Sequence, residues 1–332
     1  MKKKKIFIPV ILILVFIISV GIGAYWTVIS KLSKVRTTNI SQNAADLGID
    51  TKKFNSDTDN TKKLDDNYIN ILLLGIDTRD AATDPGRSDS MMILTLDKAH
   101  KKIKITSLMR DMLMNNVGSK SQDKLTHAYA YGGPQLSLKV VNENLNMNIK
   151  DFVKVDFTHF DKIVDAVGGV DINVSDAEVK VLNGYITEVA KLEKITPPYL
   201  THGGMQHLSG IQALGYARIR YVGDGDFERT ERQRTVLTQV FNKISSMSLT
   251  QASSTLDTIL SDVETSLSKT DILADTSYVL MNKINTMEQF RIPDNKPGYS
   301  TNRMINGVFY LDWNREGNIA DLHQFIFEGD LK

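Results

Sequence analysis

The sequence predicts a layered α/β/α body with a central mixed β-sheet, preceded by one N-terminal transmembrane helix. Three observations lead there. Residues 6–29 form a charge-free, largely apolar run behind four lysines, and residues 30–66 are polar with no sustained period. From residue 68 onward, short strand-like apolar runs alternate with helical ones, the pattern of helices packed on a sheet.

A helix crossing a hydrocarbon core of ~30 Å needs about 20 apolar residues. Residues 6–29 supply them, interrupted only by Pro9 and a few small or polar residues. Lys2, Lys3, Lys4 and Lys5 belong on the cytoplasmic side, which makes 1–5 a cytoplasmic tail and places the remainder outside the cell membrane. Tyr25 and Trp26 fall at the level of an interfacial aromatic belt. A cleaved signal peptide, with Gly21 and Gly23 before the cut, is the competing reading. The length of the run favours an uncleaved single-pass anchor. Residues 30–66, rich in Ser, Thr, Asn, Asp and Lys, read as an extracytoplasmic linker that cannot bury enough apolar surface to offset its ordering entropy.

The strand and helix pattern places one continuous extracytoplasmic domain at 67–332. Residues 68–76, 91–96 and 103–108 are strand-like, the last two joined by a polar turn. Gly132, Gly133 and Pro134 open a helical stretch to residue 145, with Leu136, Val140, Val141 and Leu145 on one face. Strands follow at 152–157 and 170–174, with a helix at 158–167 between them. Helices are expected at 208–217, 227–246, 249–261, 272–283 and 319–327, and late strands at 290–292 and 308–310.

Charge balance narrows the function. The 332-residue chain has 40 basic and 39 acidic residues, a formal charge of +1, but beyond Lys5 it carries 36 basic against 39 acidic. A mildly acidic body argues against direct nucleic-acid binding, which rests on a basic face neutralising phosphates. With no cysteine, disulfides and thiolate chemistry are excluded, and the six histidines are not in metal-ligand spacing.

Three segments concentrate charge at strand ends and helix starts. Asp77 ends one apolar strand and Asp89 immediately precedes the next, so on neighbouring strands the two carboxylates would meet at one sheet edge, as in a magnesium site. Loop acids capping turns are the alternative. Arg110 and Asp111 end a third strand, where ligands of such sheets bind; a surface ion pair, contributing under ~1 kcal/mol, fits the segment equally well. Arg218 and Arg220, two residues apart, share a side if the backbone is extended. A Gly- and Asp-rich turn then leads to Asp226, placed to cap a long helix that carries Arg229, Arg232 and Gln233 on one face. Arginine forks at a helix start suit a pyrophosphate. Glu228 and Glu231 also permit a salt-bridged surface helix.

The ordered motifs resemble the LytR-CpsA-Psr family over residues 68–245. They are Gly75-Ile76-Asp77, Gly86-Arg87-Ser88-Asp89-Ser90, Ser107-Leu108-Met109-Arg110-Asp111, Lys124-Leu125-Thr126-His127-Ala128-Tyr129, Asp156-Phe157 through Gly168-Gly169-Val170, Leu208-Ser209-Gly210, Tyr216-Ala217-Arg218-Ile219-Arg220 and Asp226-Phe227-Glu228-Arg229-Thr230-Glu231-Arg232-Gln233. The resemblance implies a long apolar pocket for a polyprenyl tail. It implies a phosphotransferase moving a phosphate-linked anionic glycopolymer (wall teichoic acid, capsule or a related polysaccharide) from a polyprenyl-pyrophosphate carrier to a peptidoglycan sugar hydroxyl in a Gram-positive envelope. Carried over by position, Asp77 and Asp89 match magnesium carboxylates, with manganese as a substitute. Arg87, Arg110, Arg218, Arg220, Arg229 and Gln233 match arginines and an amide around the pyrophosphate, and Asp226 matches a carboxylate near the reacting phosphate. The chain departs at Met109, where the family often has proline, and at Glu228, where a small residue is frequent. Two other classes remain: a membrane-bound regulator of cell-envelope genes, and a non-catalytic polyprenyl-phosphate binder.

Overall fold

The computed structural model describes residues 35–54, 67–77, 86–156, 160–247, 251, 255 and 263–328. The tail and span expected at 1–29, and most of the helix expected at 249–261, lie outside the described residues. Among those described, no helix is long and apolar enough to cross a membrane.

Thirteen strands are described: β1 (Arg36–Thr37), β2 (Tyr68–Asp77), β3 (Arg87–Asp97), β4 (Lys102–Leu108), β5 (Leu113–Val117), β6 (Lys120–Lys124), β7 (Asp151–Asp156), β8 (Val170–Val174), β9 (Gly204–Leu208), β10 (Glu264–Thr265), β11 (Met287–Ile292), β12 (Ser300–Ile305) and β13 (Val308–Trp313). Seven make a central sheet in the order β1-β10-β7-β2-β3-β4-β11. The sheet is mixed, as expected: β2 runs parallel to β7 and antiparallel to β3, and β4 runs parallel to β11. The pairs β5-β6, β8-β9 and β12-β13 form separate ribbons.

Period-2 alternation on β2 feeds two cores. Ile71 and Leu73 face a cluster shared with α2 (Phe160–Ala166), α3 (Asp176–Glu193), α4 (Gly210–Arg218), α5 (Asp226–Ser245) and α6 (Lys269–Met281). Leu72 and Leu74 face the other, shared with α1 (Leu125–Leu145) and α7 (Arg315–Phe327). A sheet buried on both faces explains why β2 reads as nearly unbroken apolar sequence.

Three expectations need correction. The segment read as a linker is in part body: Val35, Leu47 and Ile49 are buried, and β1 pairs with β10 at the sheet edge. Scattered apolar residues need no period to dock on an existing core. Second, the helix expected to open at Gly132, Gly133 and Pro134 does so, but a further helical piece from Leu125 precedes it, and the two join across a kink where Gly132 and Gly133 (φ 62°) leave helical geometry. Third, α3 was not foreseen at all. Its signal was present in the capping box of Ser175 and Glu178, whose reciprocal bonds close the helix start.

At the sheet end remote from Asp77, Lys104 is fully buried and bonds Asp97 Oδ2 at 2.7 Å and the Ile326 carbonyl at 2.9 Å, with Glu328 Oε1 also at 2.9 Å. Asp97, His100 and Glu328 have metal-like proximity, but the Lys104 ammonium already supplies the cation. Burial raises the Glu328 pKa, yet Lys102 and Lys104 outweigh it and hold the group at about 2. Its linked stability is therefore present above the ordinary value of 4.5 and is lost as pH falls toward 2. Replacing Lys104 by Met should cost about 3–5 kcal/mol, because the buried Asp97 loses its ammonium partner and keeps only His100. Urea midpoints check this, and the Lys104→Met/Asp97→Leu double variant should regain most of the loss.

Candidate active site

The expected meeting of Asp77 and Asp89 depends on strand pairing, and β2 and β3 are indeed neighbours. Asp77 lies opposite Arg87 and Ile76 opposite Ser88, but Gly75 lies opposite Ser90. Asp89 is therefore the extra residue of a β-bulge, the device that re-aims a side chain beside a site. Arg87 is exposed at the start of β3.

Asp89 is the hub of the site. Arg110, just past β4, donates from Nη1 to Asp89 Oδ1 at 2.5 Å. Arg220 donates from Nη2 to Oδ2 at 3.3 Å, and Arg229 from Nη2 to the Asp89 carbonyl at 3.5 Å. Asp226 forms a second node. Its Oδ1 lies 3.3 Å from Arg220 Nε, and its Oδ2 lies 3.2 Å from Arg229 Nη2 and 3.8 Å from Arg110 Nε. Asp111 closes the group, taking Arg110 Nε at 3.3 Å and Lys124 Nζ at 2.6 Å.

Sequence distance hides how the fold assembles this group. Ile219 is fully buried between Arg218 and Arg220 and anchors the strand-like turn at the end of α4, so both arginines project outward on one side. Arg220 reaches the aspartates. Arg218 instead lies over the Tyr185 ring at 5.0 Å and 3.5 Å from Glu188 Oε2. Burial raises the Tyr185 phenol pKa, opposed by both Arg218 and Arg220. Tyr185 lies on the unforeseen α3, and Lys124 was visible only as the first residue of a motif.

The helix start also departs from expectation. Gly225 occupies the N-cap without a side-chain bond, and Asp226 is the first helical residue. Freed from capping, its carboxylate meets three arginines. Arg232 is not brought to the group, although it was placed on the Arg229 face. It bonds Glu178 Oε1 at 2.6 Å, Glu228 Oε2 at 2.7 Å and the carbonyls of Ile219 and Val222. Helical spacing of three leaves it some 60° around from Arg229, enough to meet α3 instead. Glu228 thus points away from the site. It also explains Gly223 (φ 75°), where a Cβ would come within 2.0 Å of that carboxylate.

Burial and close pairing of opposite charges set the electrostatics of the site. Burial opposes charge on Arg110, but Asp89, Asp111 and Asp226 outweigh it and raise its pKa. Burial also raises Asp111, yet Lys124 and Arg110 bring it below the ordinary carboxylate range. Asp226 goes the other way. Burial raises its pKa beyond what Arg220 and Arg110 offset, and Asp111 and Asp89 add to the rise. Arg110 Nη2 and Arg220 Nη1 make no hydrogen bond among the described residues. Gln233 Oε1, an acceptor, and Arg229 Nε, a donor, are fully buried without a partner there. Unused donors on preorganised forks suit phosphate oxygens.

Known proteins resemble this chain along most of its length. A curated transferase of Bacillus cereus, named polyisoprenyl-teichoic acid–peptidoglycan teichoic acid transferase TagU, is 32% identical over 313 residues, covering 93% of this chain and 92% of its own. The enzyme of that name from Enterococcus faecalis is 31% identical, covering 82% of both chains. Among solved structures, TagT bound to LI-WTA matches with a TM-score of 0.65 and 26% identity over 88% of this chain and 99% of its own. TagT with bound octaprenyl pyrophosphate lipid shares the fold, at a TM-score of 0.61 and 24% identity, covering 88% of this chain and 99% of its own. The model of the LytR_cpsA_psr family matches residues 24–322, and the chain belongs to that family.

Proposed function

We propose that the protein transfers a phosphate-linked anionic glycopolymer, of the wall teichoic acid class, from a polyprenyl-pyrophosphate carrier to a peptidoglycan sugar hydroxyl. The observation that carries the reading is the Asp89–Arg110–Arg220–Asp226 group, with guanidinium donors left for phosphate oxygens. The acceptor oxygen attacks the phosphorus that bears the polymer. One P–O bond forms, the anhydride P–O bond breaks, and polyprenyl phosphate leaves. Arg110, Arg220 and Arg229 neutralise the bridging and leaving oxygens as charge shifts onto them. Asp226, its pKa raised by burial, takes the hydroxyl proton.

Two hard carboxylates on adjacent strands fit a divalent cation. The Asp77 carboxylate makes no hydrogen bond or ion pair among the described residues, whereas both oxygens of Asp89 already meet arginines. Asp77 and Asp89 would hold magnesium, which would supply further neutralisation of the pyrophosphate. Residues 6–29 anchor the body on the outer face of the cell membrane, where the carrier lies.

The full-length protein in detergent, given polyprenyl-pyrophosphate donor, peptidoglycan fragments and magnesium, should release polyprenyl phosphate and join polymer to glycan. Chelation should lower the rate at least about tenfold, with recovery on adding magnesium or manganese. Donor binding without release would leave a carrier-binding protein. Release indifferent to chelation would remove the metal while leaving the transfer.

A further inference from the structure

Beyond the site, along the same sheet edge, two more guanidiniums lie close together. Arg291 stands on β11 opposite Ser107 of β4. Arg234, on α5, donates from Nη1 to Ser107 Oγ at 2.9 Å and from Nε to Gln289 Oε1 at 3.2 Å. Arg291 donates from Nε to the Pro293 carbonyl at 3.1 Å and from Nη2 to Asn295 Oδ1. It also lies 4.4 Å from the centroid of the Phe227 ring, next in sequence to Asp226. Every one of these partners is neutral, and neither arginine forms an ion pair among the described residues.

The contrast with the other helix arginines is informative. Arg229 and Arg232 are as buried as Arg234, and each has a carboxylate. Burial lowers the Arg234 pKa, Arg291 lowers it further, and Glu231 alone opposes them, leaving it at about 10. Burial likewise lowers Arg291, outweighing Asp294, Glu231 and Asp224. Two like charges in a poorly hydrated place are unfavourable unless a counter-anion joins them. Nη2 of Arg234 and Nη1 of Arg291 remain without a hydrogen-bond partner among the described residues. Each fork therefore keeps a donor for a ligand.

The pair is continuous with the reacting centre. Sheet order runs β2, β3, β4, β11, so Asp77, Asp89, Arg110 and Arg291 succeed one another along one edge. Met109 donates to the Ile292 carbonyl at 3.1 Å and ties the two places together. We propose that Arg234 and Arg291 form a second anion site, which grips a phosphodiester of the acidic polymer beyond the pyrophosphate. This assignment rests on the proposed transfer reaction. It would select donors by the polymer they carry rather than by the lipid.

The test uses the full-length protein in detergent and Arg291→Gln, with Arg234→Gln as a second variant where its melting temperature is unchanged. Two donors share the same polyprenyl pyrophosphate, one carrying a phosphodiester polymer and the other a neutral oligosaccharide. Arg291→Gln should raise KM for the phosphodiester donor about tenfold and leave kcat and KM for the neutral donor unchanged. Equal effects on both donors, or none on either, would overturn the assignment. A second measurement titrates glycerophosphoglycerol, a free phosphodiester, and inorganic phosphate against both proteins. The diester should bind the wild type and bind Arg291→Gln about tenfold more weakly. Binding of inorganic phosphate alone, or diester binding indifferent to Arg291, would overturn the site. If the wild type transfers neither donor, the transfer reading fails, and the titration still decides whether the anion site exists.

Discussion

Replacing Arg220 by alanine should lower transfer by about 10³-fold without unfolding the protein. Arg220 touches both nodes of the site, Asp89 through Nη2 and Asp226 through Nε, each at 3.3 Å. A guanidinium that bridges both carboxylates also fixes their separation, so its removal loosens the centre and deletes a phosphate donor together. About a third of its side chain is exposed, which limits the structural loss to that of a surface pair, about 1 kcal/mol or less. Lysine should not restore activity, because one ammonium cannot meet two carboxylates and a phosphate in one plane. Arg218→Ala should mainly raise KM, since Arg218 contacts Tyr185 and Glu188 rather than the aspartates. Polyprenyl phosphate release, measured beside thermal melting, separates these cases. Activity within tenfold of wild type at unchanged melting would remove Arg220 from the reacting centre.

Asp226→Asn should cost about 10²–10⁴-fold and alter the pH profile. Burial raises the Asp226 pKa despite its arginine neighbours. A base works unprotonated, so wild-type kcat should fall as pH drops through that raised value, at higher pH than for an ordinary carboxylate near 3.9. The amide keeps the bond-accepting oxygen but cannot take a proton, so the acidic limb should vanish with most of the rate. A variant that retained the same limb would assign the proton transfer elsewhere, with Asp111 as the next carboxylate on Arg110.

Much of this was legible because the chemistry sits where periodic patterns break. The apolar runs of β2, β3 and β4 end at the charged residues of the site, and the pairing of β2 with β3, which carry Asp77 and Asp89, followed from two adjacent apolar runs. The bulge at Asp89 was not foreseeable, since a one-residue slip leaves no mark in composition. Arg232 illustrates the limit of a helical face: spacing places it near Arg229, but Glu178 decides where it points. That glutamate belongs to α3, which the sequence announces twice, by its capping box and by the buried stripe of Val179, Leu182, Ile186 and Val189 at helical spacing. Residues 35–54 misled for a different reason. A segment that completes another element's core needs only a few well-placed side chains, here Val35, Leu47 and Ile49, and keeps the composition of a tether.

The docking of that segment bears on how the protein meets its donor. With β1 hydrogen-bonded at the sheet edge from Arg36 and Val35 buried, only residues 30–34 separate the body from the proposed span. Five residues reach at most ~18 Å even fully drawn out. With residues 6–29 as the proposed span, a catalytic body tethered so closely would diffuse with the bilayer in two dimensions, and a carrier pyrophosphate at the headgroup level would stay within reach. Under the proposed anchoring the lipid-borne donor would be found by lateral encounter, while the wall would have to come to the enzyme.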